Sequence, residues 1–267
     1  PLFRNGLKQF LQEARTLALM DHSNIVRVRH FFEENGTGYL VMDYYEGVTL
    51  EAYVKQKGGK LSEELAVNIL IPVLDGLREV HRRDFWHRDV KPQNIYLTTE
   101  GRIILLDFGA ARQAVTAQTR SLSVVYTPGY APYEQYLSRG NQGPWTDIYG
   151  AAATLYFMVV GKAPPEAQER VLNDSIEYPK TLSTRLREAL VPALAVKTED
   201  RPQTVAEWQE RLWDKPSPEP IPQSAPIPPS APILAPKPKM KWLWGGVAVL
   251  IFMMVAVGFL NWKIDSR

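Results

Sequence analysis

Apolar residues recur at helical spacing along most of this chain, interrupted by short stretches that read as strands. Leu7, Phe10, Leu11, Ala14, Leu17 and Ala18 recur at three- and four-residue steps, which predicts a helix over Leu7 to Met20. Val26 to Phe32 and Tyr39 to Asp43 read as a strand pair around the turn Glu34-Asn35-Gly36-Thr37-Gly38. The helical stripe returns at Leu65, Ile69, Val73, Leu77 and Val80. Ser62 stands where an N-cap belongs, and Glu63 and Glu64 fill the first turn. Pro72 lacks a backbone donor and should kink this helix. His81 closes it and reads as a packed structural histidine rather than a ligand.

Asn94-Ile95-Tyr96-Leu97, a turn at Thr98 to Gly101, and Arg102 to Leu106 predict a second hairpin. Ala110 to Tyr126 is polar and has no clean period, the mark of a functional loop. Ala151 to Val160 is an apolar helix opened by Asp147-Ile148-Tyr149-Gly150, and Leu186 to Leu194 and Val205 to Leu212 supply closing helices, the last ending at Trp213.

The pattern changes abruptly afterwards. From Pro216 to Pro238, ten of twenty-three residues are proline, so 214–240 is expected to be a disordered, polyproline-like linker. A spacer role is favoured over a docking site for proline-reading domains. Trp242 to Leu260 then runs nineteen residues without a charge, enough at about 1.5 Å per residue to cross a roughly 30 Å hydrocarbon layer. We therefore expect one transmembrane helix over 241–262, anchored in the lipid bilayer by Trp242, Trp244 and Trp262, and a short extracytoplasmic tail over 263–267. Lys237, Lys239 and Lys241 precede the span, against Lys263 and Arg267 after it, which places the N-terminal side in the cytoplasm.

Composition narrows the classes. A net charge of +2 gives no reason to expect a nucleic-acid partner. The absence of cysteine excludes disulfides, thiolate zinc and cysteine catalysis. The chain opens on Pro1 with no signal peptide, so a fragment of a longer protein is expected.

The candidate chemistry lies in His87-Arg88-Asp89-Val90-Lys91-Pro92-Gln93-Asn94, followed thirteen residues after Asn94 by Asp107-Phe108-Gly109. The hairpin between them would bring Asn94 and Asp107 together. Asp89 can take a proton from an attacking hydroxyl, Asn94 and Asp107 are hard oxygen ligands of the kind Mg²⁺ prefers, and Lys91 adds positive charge beside the acid. The octet, with its spacing to Asp107, resembles the bacterial eukaryotic-type (Hanks-type) Ser/Thr protein kinases.

That resemblance covers about residues 1–213 and implies an α+β, protein-kinase-like two-lobed fold, with a partial N-lobe and a mostly helical C-lobe, and a reaction using ATP and Mg²⁺ on protein substrates. Glu13 matches the helix glutamate that pairs with a strand lysine over the ATP phosphates. That lysine and the glycine-rich loop before it are absent from these 267 residues, and truncation is the expected cause. Met42 matches the gatekeeper, Asp43 and Tyr45 the hinge backbone that meets adenine, and Tyr96 the floor of the adenine pocket. His87 is expected to stack near Phe108 without a proton-transfer role. Arg88 would receive a phosphate from the activation segment, on Thr119 or Ser121, and membrane tethering would favour self-association for trans-autophosphorylation. Thr127 with Lys91 is the Ser/Thr pattern. Glu134 is expected to pair with Arg201 as a buried structural salt bridge, although its triad reads Pro132-Tyr133-Glu134 where the family has Ala-Pro-Glu. Two rivals stand beside the kinase: a pseudokinase scaffold, and a small-molecule phosphotransferase, which Glu134 with Arg201 and the long activation segment oppose.

Overall fold

A computed structural model describes residues 2–108, 127–137 and 140–212. Helix α1 (Leu2–Ala18) precedes the antiparallel pair β1 (Val28–Glu34) and β2 (Thr37–Met42). Their turn is the two-residue Asn35-Gly36, both in the left-handed region at φ 51° and 70°. This is tighter than the five-residue turn the sequence pattern suggests, because Asn-Gly adopts the geometry that matches strand twist. Strand β3 (Gly47–Thr49) leads into α2 (Leu50–Gln56), capped by the Thr49 hydroxyl on the Ala52 N–H. Helix α3 (Glu63–His81) starts on the Ser62 side chain, as its capping pattern predicts, and runs through Pro72 as one element.

A 3₁₀ turn (Pro92–Asn94) then opens β4 (Ile95–Thr98), which pairs with β3 on one side and β5 (Ile103–Leu105) on the other. Beyond these lie α4 (Tyr133–Tyr136), α5 (Pro144–Val160), α6 (Ala167–Leu172), α7 (Thr184–Ala193) and α8 (Val205–Leu212). Strand β3 and helices α2, α4 and α6 are too short to show a period in the sequence.

Helix α5 is the centre of the larger core. Ile148, Tyr149, Ala151, Ala152, Ala153, Leu155 and Tyr156 are all buried, so it is enclosed on every side, as an all-round apolar helix must be. Stripes from α3 (Ile69, Leu70, Val73, Leu74, Leu77) and α8 (Trp208) close on it. At Gly150 a Cβ would lie 2.8 Å from the Val90 carbonyl oxygen, so the missing side chain lets the chain next to Asp89 rest directly on α5.

A smaller core joins Leu17 of α1, Met20, Ile25, Val26, Val28 of β1, Val80 of α3, Ile104 of β5 and Phe108. The α1 segment is tied to β5 by backbone and side-chain bonds: Asn24 Nδ2 donates to Ile103 O at 2.8 Å, and the Leu105 N–H donates to Asn24 O at 2.8 Å. Among the described residues no helix is long and apolar enough to cross a membrane. The span expected at 241–262 and the linker at 214–240 lie outside the described residues, as do Thr119, Ser121 and Trp213.

Candidate active site

The loop between α3 and β4 is shaped from below by one carboxylate. Asp147, buried near the start of α5, accepts the His87 N–H at 2.8 Å and the Arg88 N–H at 2.6 Å, and lies 2.7 Å from His81 Nε2. Burial alone would raise its pKa. The hydrogen bond and charge of His81, with His87 and the Arg88 amide, outweigh that and hold it below the usual carboxylate range. Asp147 and Gly150, three apart on one face of α5, therefore both serve this loop.

His87 ties the loop to the strand carrying Asp107. Its Nε2 lies 2.8 Å from the Leu106 carbonyl and must donate there, while Nδ1 accepts the Asp89 N–H at 3.2 Å. That is the neutral tautomer, and burial lowers the ring's pKa in agreement. Both ring nitrogens are committed and the ring lies 4.5 Å from Phe108 between centroids, so His87 holds position and moves no proton.

Asp89 sits in a compact polar group. Its Oδ2 is 2.9 Å from Lys91 Nζ and accepts from Asn94 Nδ2 at 2.8 Å, and Asn94 Nδ2 also reaches the Asp89 carbonyl. Lys91 Nζ donates in turn to Thr127 Oγ1 at 2.8 Å, joining the acid to the segment that follows residue 126. The Leu106 N–H donates to the Asn94 carbonyl at 2.7 Å, so the hairpin does bring Asn94 up against the chain entering Asp107.

Arg88 and Asp107 both carry left-handed backbones, at φ 65° and 47°. Such conformations cost about 1–3 kcal/mol each and persist where neighbours over-determine them. For Arg88 those neighbours are the Asp147 carboxylate on its N–H and Gln135 Nε2 on its carbonyl at 2.7 Å. For Asp107 they are the Leu106–Asn94 bond before it and buried Phe108 after it.

Mg²⁺ fits this donor set. Two bonds commit Asn94 Nδ2 to Asp89, which leaves the amide oxygen as the group offered outward, and Asp107 is exposed. Among the described residues no three His, Cys, Asp or Glu side chains converge on one point, so these two ligands would share the ion with substrate phosphates and water.

Below the site, Glu134 and Arg201 form a bidentate pair at 2.8 and 3.1 Å, both buried. Thr146 Oγ1 donates to Glu134 Oε1, which Arg201 Nη1 also meets, and Arg201 also donates to the carbonyls of Ala195, Trp145 and Val196.

The sequence profile of the protein kinase domain matches residues 3–213. The chain belongs to the protein kinase family. Sperm motility kinase 2B of Mus musculus is 31% identical over 209 residues, covering 76% of this chain and 43% of the relative. The Ser/Thr-protein kinase PknA of Nostoc sp. is 34% identical over 192 residues, covering 68% and 34%. The chain thus spans less than half the length of these curated relatives. Among solved structures, the apo form of PpkA-294 superposes with a TM-score of 0.71 at 38% identity, covering 79% of this chain and 76% of that one. The kinase domain of Mycobacterium tuberculosis PknI gives 0.61 at 25%, covering 79% and 78%.

In kinase terms, α1 is the helix that carries Glu13, whose side chain lies outside the described residues. The segment expected to form the hinge follows β2. Met42 ends that strand and is 37% exposed. The Asp43 N–H donates to Arg27 O at 3.0 Å, so that donor is committed within the β1–β2 layer. The Asp43 carboxylate pairs with Arg29, which lowers its pKa chiefly through their hydrogen bond. The Arg102 guanidinium lies over the Tyr45 ring at 5.2 Å, and Tyr96 is half-buried on β4 opposite Thr49 and Ile104.

Three contributors escape a sequence reading of this kinase domain: Gln135 on the Arg88 carbonyl, Thr146 on Glu134, and Asn24 on β5. Each is a single polar residue in a varied stretch, with no motif to flag it.

Proposed function

We propose that this domain transfers the γ-phosphoryl group of ATP to Ser or Thr hydroxyls of proteins, with its own 110–126 loop among the targets. The observation that carries the reading is the chain Asn94–Asp89–Lys91–Thr127, in which one carboxylate oxygen is gripped by an amide and an ammonium that reaches the segment a peptide would meet. With Asp89 fixed in this way, its carboxylate orients the substrate hydroxyl and accepts its proton. Lys91 offsets negative charge on the transferred group, and Asn94 and Asp107 hold Mg²⁺, which supplies charge neutralisation on the phosphates.

The same reading places the domain at the cytoplasmic face of a bacterial inner membrane, anchored through 241–262. Tethered copies would phosphorylate Thr119 or Ser121 in trans, and Arg88 would answer the phosphate. The test is Asp89→Asn in the full-length protein. Phosphoryl transfer to protein should fall by about 10²–10⁴-fold, the usual worth of a positioned general base, while Mg·ATP affinity stays nearly intact. Near-full activity in that variant sinks the assignment. Binding of Mg·ATP with no transfer to any protein, in the unaltered protein, marks a scaffold instead.

A further inference from the structure

The short helix α4 carries two buried polar side chains in a row. Glu134 is spent on Arg201, and that pair fixes where the helix sits. Gln135, 6% exposed, serves a different element: its Nε2 donates to the Arg88 carbonyl at 2.7 Å. A carbonyl only accepts, so the amide nitrogen must face it and the orientation is settled. A buried amide answering a carbonyl is usually ordinary packing chemistry. What sets this one apart is the peptide unit it holds.

The Arg88 carbonyl and the Asp89 N–H belong to one planar unit, so fixing either end turns both. Gln135 holds the oxygen, and His87 Nδ1 accepts the N–H at 3.2 Å. Rotating this unit would set the carbonyl against the His87 lone pair and leave the Gln135 amide without its acceptor. It would also change the Asp89 φ, one of the torsions that aim its carboxylate at Asn94 and Lys91. The backbone shows why a clamp is needed. Arg88 stands at φ 65°, a left-handed conformation that a non-glycine residue keeps only where its neighbours hold it.

The two clamps on Arg88 come from different places. Asp147, on its N–H, belongs to the central helix α5, whereas Gln135 belongs to the 127–137 segment. That segment also reaches the loop through Thr127 on Lys91. It therefore grips the loop on both flanks of the acid, at the residue before Asp89 and at the second residue after it. Thr127 meets the ammonium that bonds to Asp89, while Gln135 works through the backbone. We propose that Gln135 is a positioning residue for phosphoryl transfer: through the Arg88 carbonyl, its amide sets the direction in which Asp89 presents its carboxylate. This rests on the reading of the domain as a protein kinase and adds a residue to its machinery.

Gln135→Met keeps the length of the side chain and removes the donor. With the full-length protein as enzyme and a mixture of serine peptides as acceptor, kcat should fall by about 10–100-fold, the scale of a small misplacement of reacting groups. The KM for Mg·ATP should stay within about twofold, because the lost interaction is not one made to the nucleotide. Gln135→Glu supplies the sharper variant. Its ionised carboxylate cannot donate to the Arg88 carbonyl, but the protonated carboxyl can, and burial favours that form. Relative to the unaltered protein at each pH, its kcat should match that of Gln135→Met at about pH 8 and climb towards about pH 6, while the Gln135→Met ratio stays flat. Misfolding does not produce such a gain. Amide exchange gives a reading without turnover: in Gln135→Met the Asp89 amide should quicken while the Leu106 amide, bonded to Asn94 O, stays protected. A Gln135→Met kcat within about twofold of the unaltered value overturns the proposal. So does a KM that absorbs the whole loss, a Gln135→Glu ratio as flat as that of Gln135→Met, or an unchanged Asp89 exchange rate. No transfer by the unaltered protein removes the kinase reading instead, and the exchange comparison alone then decides whether Gln135 positions the Asp89 peptide.

Discussion

Asp89 and Asp43 are both aspartates paired with a cation, but their surroundings differ. The Lys91–Asp89 side chains are 8% and 13% exposed, whereas the Arg29–Asp43 side chains are 54% and 24% exposed. The Asp89–Lys91 pair rests on a loop whose backbone is bonded to buried Asp147 and packed on Gly150, so its geometry is fixed when α5 folds. The hinge pair belongs to a two-stranded layer with Tyr39, Val41, Met42 and Tyr44 exposed. Chemistry that must hold atoms within fractions of an ångström gains from the first arrangement. Nucleotide entry and release suit the second. The contrast predicts that damage on the C-lobe side is global and damage on the hinge side is local.

The largest effect should come from Arg201→Met. Among the described residues it leaves Glu134, buried and charged, with only Thr146 to answer it, and breaking such a pair costs about 3–5 kcal/mol. Urea denaturation should show that loss as one shift of the whole transition. Adding Glu134→Met should restore much of it, since an apolar pair of similar size needs no desolvation. A loss under about 1 kcal/mol in the single variant would mean that the C-lobe does not unfold as a unit around this pair.

Acid should produce a graded loss, and its sign follows from two groups. His87 has a folded pKa below its unfolded value, so the unfolded chain binds more protons as pH falls through about 6.5, and stability drops from there downward. Asp147 is also depressed; its contribution is present above the unfolded carboxylate pKa and is lost as pH falls through the folded one. Denaturation midpoints should therefore hold steady above neutrality, decline below about pH 6.5, and decline again below about pH 4. His87→Gln can still donate to Leu106 O and should lack the first decline. Stability that rises on mild acidification would contradict the buried neutral tautomer.

How far this was legible in the sequence depends on contiguity. His87 to Asn94 and Asp107 lie on one short hairpin, so spacing alone brings them together, and the observed Leu106–Asn94 bond is that hairpin. Glu134 and Arg201 are 67 residues apart, and only the family resemblance could pair them. Asp147 was visible as a helix opening but not as the acceptor for two loop amides, because backbone donors leave no trace in side-chain patterns. The short elements β3 and α2 were missed for a related reason: Leu50, Tyr53 and Val54 make too brief a stripe to show a period.

Gly38→Val probes the hinge side. A Cβ there would stand 2.5 Å from Phe10 Cδ1 and 3.0 Å from Leu7 Cδ1, so the Phe10 ring must give way and the α1–β2 packing with it. Overpacking of this kind costs about 1–3 kcal/mol. Amide hydrogen exchange should quicken across Val28–Met42 and α1 while α5 stays protected. Equal loosening of α5 would erase the distinction between the two sides.

Arg29→Ala should be the mildest change and the most local. The pair it removes is exposed, and pairs of that kind contribute little to global stability, so the denaturation midpoint should stay where it was. What Arg29 does hold is the side chain of Asp43, the residue whose N–H is fixed on Arg27 O. Releasing that side chain frees the hinge to wander, and the ordering must then be supplied by the nucleotide on binding. The Asp43 amide should exchange faster, and ATP affinity should fall severalfold in the full-length protein. High salt should mimic both changes in the unaltered protein and add nothing to the variant, because it screens an exposed pair that the variant no longer has. A midpoint shift as large as that of Arg201→Met would show that the hinge pair is as structural as the buried one, and the comparison between Asp89 and Asp43 would fail.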